Sequence, residues 1–444
     1  MDTNSLEQPT TNNIKEQTPT APKAHGRIRP AAAGAIGAVA GLVIGAAGIY
    51  GLTKLTGQTQ PCPDCQCPKC SQGSNDISYD FLKLESASDN IIYSPLSIRN
   101  GLALLNVGTN GTTKTEIEKV LGDSEITKYQ NIPDTLSLAN AVFIRDTFKD
   151  KVLSTYIESA QNNLGSEILY DPFTSSANMD NWVKQKTFNL IDSIGIQPTE
   201  DLEMVLANAL AIQMDWEYPF DTDDTRGRTF YKKDGSEMEA TTMYKKTKAE
   251  DIKYYTNDTI TAISMPLDST VEDVKLDFIA IMPSGNLDEY IGTVDQSQVA
   301  TVVDNFISAS DSKDGVVINM PKFKFDYQLK FKEDLQALGI QTAFNKKTAD
   351  FSNMASYPLY VGQAIHKANI DFSEKGIKAA AVTAFAMIDA TAMPEEEPQP
   401  IIIDIDHPFL FLIRDAANDT IWFTGAVYQP NLWADDAEAY KPNY

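Results

Sequence analysis

Apolar positions along this chain recur with two periods, and one further stretch is apolar with no period at all. Helical spacing, with apolar residues three and four apart, runs through Leu96 to Leu105 and through Thr113 to Leu121 before Gly122. It also runs through Met179 to Ile194, where Trp182, Val183, Leu190 and Ile191 fall on one face. Strand-like runs dominate later: Leu276 to Met282 ahead of a Pro-Ser-Gly turn, Gly315 to Phe325, and Phe409 to Ile413 followed across an Asn-Asp turn by Thr420 to Val427. This predicts a mixed α+β domain over residues 76–432, with no fixed-period repeat and a short tail at 433–444.

Residues 1–30 are rich in Thr, Pro, Asn and Gln without apolar periodicity, which predicts a disordered tail, cytoplasmic in the reading that follows. Ala31 to Thr53 then carries no charge. As a helix rising 1.5 Å per residue, it would cross a hydrocarbon layer about 30 Å thick. The expectation is a transmembrane signal-anchor helix at 31–53; a cleaved signal peptide, a buried helix and a flexible Gly/Ala linker compete with it. Lys23, Arg27 and Arg29 precede the stretch and only Lys54 follows closely, which would leave the N-terminus cytoplasmic and the main domain extracellular. Gly37, Gly41 and Gly45 would give such a helix a small-residue face suited to self-association.

Charge narrows the partners. With 37 Lys+Arg against 61 Asp+Glu, the net charge of −24 repels phosphate backbones and argues against nucleic acid. The chain's histidines are His25, His366 and His407, too few for a His-rich metal cage. All four cysteines, Cys62, Cys65, Cys67 and Cys70, lie in a Pro-rich stalk at 54–75. Two Cys-x-x-Cys pairs this close make a strained zinc site, so disulfides, between chains or within short loops, fit better than a metal. Lipid attachment and a stalk with no further role stay open.

Enzyme signatures are missing: no Gly-rich phosphate loop, no His-Glu-x-x-His, no Gly-x-Ser-x-Gly elbow, no dinucleotide fingerprint. Neither catalysis nor a cofactor is expected. The unusual stretch is Glu374-Lys-Gly-Ile-Lys-Ala-Ala-Ala-Val-Thr-Ala-Phe-Ala-Met-Ile-Asp-Ala-Thr-Ala-Met-Pro, followed by Glu395-Glu-Glu-Pro-Gln-Pro400. Ala379 to Ala384 suits a helix, Val382, Thr383, Phe385 and Ile388 suit a strand, and the Pro/Glu run after Met393 must be an exposed loop. Read locally, it is a switch candidate or an ordinary helix with an acidic linker.

Spread over residues 80–431, several motifs resemble those of serpins. They include Asn90-Ile-Ile-Tyr-Ser-Pro-Leu-Ser-Ile, Leu206-Ala-Asn-Ala, the spacing of Trp216, Phe220, Thr225, Phe230 and Gly235, and Met320-Pro-Lys-Phe-Lys-Phe. Leu335-Gln-Ala-Leu-Gly-Ile, Ala349-Asp-Phe-Ser, His366-Lys-Ala, Glu374-Lys-Gly and Asp406-His-Pro-Phe-Leu-Phe continue the pattern.

The resemblance implies a serpin fold of three β-sheets and about nine helices, with an exposed reactive-centre loop that baits a serine protease. Cleavage leaves the protease acylated to the loop, which inserts as a strand into the main sheet, a form of β-augmentation. By the same resemblance the hinge comprises Glu374, Gly376, Ile377, Lys378, Ala379, Ala380, Ala381 and Thr383. Ile377, Ala379, Ala381, Thr383 and Phe385 would then point inward. The family's spacing places the scissile bond at Ala390-Thr391, within a window of 388–393, and its small residues suit elastase-like or subtilisin-like proteases. Ser94, Ser97, Asn208 and His366 would form a polar shutter under the main sheet. Ile377 and Lys378 depart from the inhibitory pattern and leave a second reading open: a non-inhibitory serpin serving as a surface binding or scaffold protein.

Overall fold

The computed structural model describes residues 36–46, 77–85, 89–122, 128–268, 274–376 and 399–437. Its organising strand is β5 (Leu202–Ile212), buried along nearly its whole length, as a strand covered on both faces must be. Its residues alternate between two cores. Met204 and Leu206 enter the largest apolar cluster, while Val205, Ala207 and Ala209 face a smaller one with Met179, Trp182 and Ile194.

Around β5 lies a six-stranded sheet in the order β13 (Phe323–Gln328), β14 (Leu359–Phe372), β1 (Ile36–Ala46), β5, β3 (Leu136–Arg145), β4 (Glu167–Asp171). A seven-stranded sheet follows the order β11 (Ile307–Ser308), β8 (Lys253–Thr256), β9 (Ile260–Pro266), β10 (Leu276–Pro283), β16 (Phe409–Asp415), β17 (Ile421–Val427), β2 (Ile91–Tyr93). The third sheet has four strands: β15 (Ile401–Asp404), β12 (Val316–Pro321), β7 (Glu237–Thr247) and β6 (Arg226–Tyr231).

Among the described residues there are nine α-helices: α1 (Ile77–Leu84), α2 (Pro95–Asn106), α3 (Gly111–Leu121), α4 (Ser154–Leu164), α5 (Ala177–Lys186), α6 (Leu287–Thr293), α7 (Gln296–Asp304), α8 (Phe331–Ala337) and α9 (Trp433–Asp436). The α+β class with three sheets is as the sequence predicts. Helix α2 begins where Ser94 Oγ accepts the Ser97 N–H and Pro95 needs no donor, and it buries its apolar face against the main sheet.

Three expectations are corrected. The uncharged stretch is not a membrane helix: its described part, Ile36–Ala46, is strand β1, and no helix among the described residues is long and apolar enough to cross a membrane. The single-pass placement, with a cytoplasmic N-terminus and an extracellular domain, does not hold, and neither does a helical small-residue face at Gly37, Gly41 and Gly45. A strand with both faces covered must be apolar on both, so its composition imitates a membrane span. In β1 the face at Ala40, Leu42 and Ile44 is buried, and on the opposite face a Cβ at Gly41 would lie 3.0 Å from Ile196 Cδ1.

The helix expected over Met179 to Ile194 stops at Lys186. Thr187 Oγ1 donates to the Val183 carbonyl and accepts the Ile191 N–H, and Phe188 and Asn189 take φ of 52° and 64°. The chain then runs without regular structure, so Ile191, Ile194 and Ile196 pack in their cluster from a loop. Finally, Gly315 to Phe325 is two strands in different sheets, β12 and β13, parted at Lys322.

Candidate functional site

Strand β14 ends in a turn that leads to the unusual stretch. The Gly376 N–H donates to the Ser373 carbonyl at 3.1 Å, closing a turn in which Gly376 takes φ of 100°. Trp216 clamps this turn twice, from its backbone N–H to the Lys375 carbonyl at 3.1 Å and from Nε1 to the Ser373 carbonyl at 2.9 Å. Its ring packs edge-on against Phe278 and Phe372. Glu374 is buried: Thr225 Oγ1 donates to its Oε1 at 2.9 Å, Lys322 Nζ lies 3.3 Å from Oε2, and the Phe220 N–H donates to its carbonyl. Of the expected hinge, Glu374 and Gly376 are thus fixed against β5's downstream segment and the β12–β13 junction. Ile377, Lys378, Ala379, Ala380, Ala381 and Thr383 lie outside the described residues, as do Ala390, Thr391 and the four cysteines.

The four polar residues expected under the main sheet do come together, and all are fully buried. Ser94 Oγ donates to the Trp422 carbonyl at 2.6 Å, while its backbone N–H donates to His366 Nε2 at 3.1 Å. Ser97 Oγ donates to Asn208 Oδ1, and Asn208 Nδ2 donates to Asn140 Oδ1 at 2.8 Å. Asn208 and His366 stand on β5 and β14, each in register with Ala40 of β1 between them. Two strand spacings, about 10 Å, separate their backbones. Each therefore finds its partners on α2 or β3 instead of across the gap.

Since Nε2 accepts a hydrogen bond, the ring proton of His366 sits on Nδ1, where no partner meets it. Burial pushes its pKa down from 6.5 to about 3. The unfolded chain takes up a proton near 6.5 and the folded one does not, so this contribution to stability is complete above pH 6.5 and is lost as pH falls toward 3. Going from pH 7 to 5 should cost about 2 kcal/mol through this residue. Denaturant titrations at the two pH values check it: His366→Gln should flatten the difference by that amount, and an unchanged difference would refute the assignment. His407, by contrast, is an exposed residue bonded to Asp406 at 2.7 Å and stacked on Tyr231.

Sequence reasoning passed over Trp216, Thr225 and Lys322 as holders of the hinge, and Asn140 as the partner of Asn208. Trp216, Thr225 and Lys322 carried a signal only as members of motifs and Asn140 carried none, because the partners lie far away along the chain.

The family model described as Serpin (serine protease inhibitor) matches residues 72–430. The leukocyte elastase inhibitor of Equus caballus is 28% identical over 399 residues, covering 81% of this chain and 99% of its own. An uncharacterized serpin-like protein of Thermococcus kodakarensis is 27% identical over 382 residues, covering 80% and 84%. Among solved structures, the thermophilic serpin tengpin in its native state superposes with a TM-score of 0.66 at 24% identity, over 80% of this chain and 93% of its own. A thyroxine-binding globulin complex with thyroxine gives 0.65 at 21%, over 80% and 98%. These last two speak for the fold alone. With three sheets in this order and a family match over most of its length, the chain belongs to the serpin family.

Proposed function

We propose that the chain is a suicide-substrate inhibitor of serine proteases, cut at Ala390-Thr391 and trapping the acylated protease by inserting residues 377–390 into the main sheet. The observation that carries this reading is that β5 and β14 stand apart with a strand held between them. Strand β1 fills that place with antiparallel pairing to both neighbours, from Ile36 opposite Ile370 and Ile212 down to Ala46 opposite Leu359. A segment returning from β14 through the turn at 373–376 would run in the same direction as β1. Fourteen residues at about 3.3 Å each would carry an attached protease some 45 Å. Each ladder hydrogen bond contributes about 1 kcal/mol net, so a seated loop strand is held by on the order of ten kcal/mol with side-chain burial added, against which the pairing that β1 gives up must be set. In this reading Ser94, Ser97, Asn208 and His366 control how the sheet parts.

The residues around the proposed bond are small, and leukocyte elastase inhibitors of three species are among the relatives, which supports elastase-like or subtilisin-like targets. The full chain mixed with elastase or subtilisin should give a covalent complex that survives SDS. Cleaved product alone at every ratio, both from this chain and from one whose β1 pairing is broken by Leu42→Asp, would sink the proposal. The occupied place between β5 and β14 favours one rival. If β1 never leaves, the chain is a non-inhibitory binding or scaffold protein.

A further inference from the structure

The place between β5 and β14 is filled by residues 36–46, which lie outside the stretch 72–430 matched by the family model. The occupant therefore comes from outside the matched stretch. Its seat is specific on both faces. Toward α2, Ala40, Leu42 and Ile44 are buried, and Leu42 and Ile44 join the cluster containing Met204, Leu206 and Val361. At Ala40 the fit is close, since a Cβ added to Gly101 of α2 would lie 3.7 Å from the Ala40 Cβ. On the other face Gly41 passes beneath Ile194 and Ile196, where a Cβ would meet their side-chain carbons at 3.2 and 3.0 Å. Ala40 also stands in register with both Asn208 and His366, so the occupant holds the two polar residues apart.

We infer that the slot between β5 and β14 is a binding site for an extended, uncharged, small-residue peptide, and that residues 36–46 are its resident ligand, competing there with the cleaved reactive loop. The competition rests on the inhibitor reading; the residency does not. Both candidate strands suit the slot chemically. Ile36 to Ala46 has no charge, and Ile377 to Ile388 has only Lys378. An outward-facing charge is tolerated where an inward one would be stranded without a partner. The slot holds one strand at a time because β1 already uses the inward-facing ladder groups of β5 and β14. With β1 seated, loop insertion must wait for its departure, so the N-terminal segment sets how often cleavage ends in a trapped protease and how often in release.

Hydrogen exchange followed by mass spectrometry on the full chain reads residency directly. Amides of 36–46 should exchange orders of magnitude more slowly than an unstructured peptide, and exchange at the unstructured rate overturns the inference whatever the inhibitory outcome. After cleavage at Ala390-Thr391, protection should pass from 36–46 to 377–390; protection that stays on 36–46 while the loop exchanges freely overturns the competition. Leu42→Asp in the full chain should abolish protection at 36–46 and raise the ratio of SDS-stable complex to cleaved product several-fold. Gly41→Val, which adds no charge and crowds Ile194 and Ile196, should do both more mildly. An unchanged ratio in both variants after protection is lost also overturns the competition. If no complex forms in any chain while 36–46 is protected, the inhibitor reading falls and the resident strand stands.

Discussion

Replacing Gly376 with alanine should lower the unfolding free energy by about 4 kcal/mol, far more than the same change at Gly235. Both glycines have positive φ, 100° and 78°, so both substitutions carry backbone strain of about 1–2 kcal/mol. They differ in space. Around Gly235 nothing lies within 4 Å of an added Cβ, whereas at Gly376 it would sit 2.2 Å from Trp216 N and 2.5 Å from the Asp215 carbonyl carbon. Those are backbone atoms and cannot swing aside. Relief must come from separating the turn from Trp216, which gives up the bonds to Lys375 and Ser373 and disturbs the ring's packing on Phe278 and Phe372. Overpacking of this kind adds about 1–3 kcal/mol. Equilibrium denaturation followed by tryptophan fluorescence checks it. Equal losses at the two positions would show that the turn does not press on Trp216.

That turn is also a measure of what the sequence made legible. Its glycine was marked by a motif, but the reason for glycine there lies 160 positions earlier at Trp216, a distance no local pattern spans. Periodicity found α3 because it buries one face of a regular helix, at Thr113, Ile117 and Val120, and it found α2 from its apolar spacing although that helix is buried nearly all round. It overran α5 because Leu190 and Ile191 keep the apolar spacing while Phe188 and Asn189 have left helical dihedrals. It merged β12 with β13 because Phe323 and Phe325 continue the apolar run of β12 past Lys322, whereas which sheet each strand joins is decided by its neighbours, Thr242 to Thr247 for one and Lys367 to Phe372 for the other. The largest misreading, of β1 as a membrane span, has the same root. Local sequence reports that a segment must be surrounded by apolar matter and does not say whether that matter is lipid or protein. The polar residues under the sheet were legible only through resemblance, since Ser94, Ser97, Asn208 and His366 come from three separate elements and a serine at a helix start has an ordinary capping role.

The second large effect expected is at Lys322, the residue that parts β12 from β13. Lys322→Met should cost about 3 kcal/mol, because it leaves the Glu374 carboxylate, with a side chain only 5% exposed, without the cation 3.3 Å away. The hydroxyl of Thr225 donates to that carboxylate but carries no charge to neutralise it. Adding Glu374→Gln to Lys322→Met should restore most of the loss, since a neutral amide can still accept from Thr225, and the double-mutant cycle then isolates the pair. The ion pair Lys184–Asp192, at 2.5 Å but with side chains 45% and 78% exposed, supplies the contrast: Lys184→Met should change stability by less than about 1 kcal/mol. A cycle showing little coupling between Lys322 and Glu374 would mean that the turn is anchored by the hydrogen bonds from Thr225, Phe220 and Trp216 and not by the ion pair. Strong coupling would make the pair a latch. The lysine comes from the junction of two sheets and the glutamate from the start of the loop, so any movement that draws the loop into the main sheet must either carry this contact along or break it.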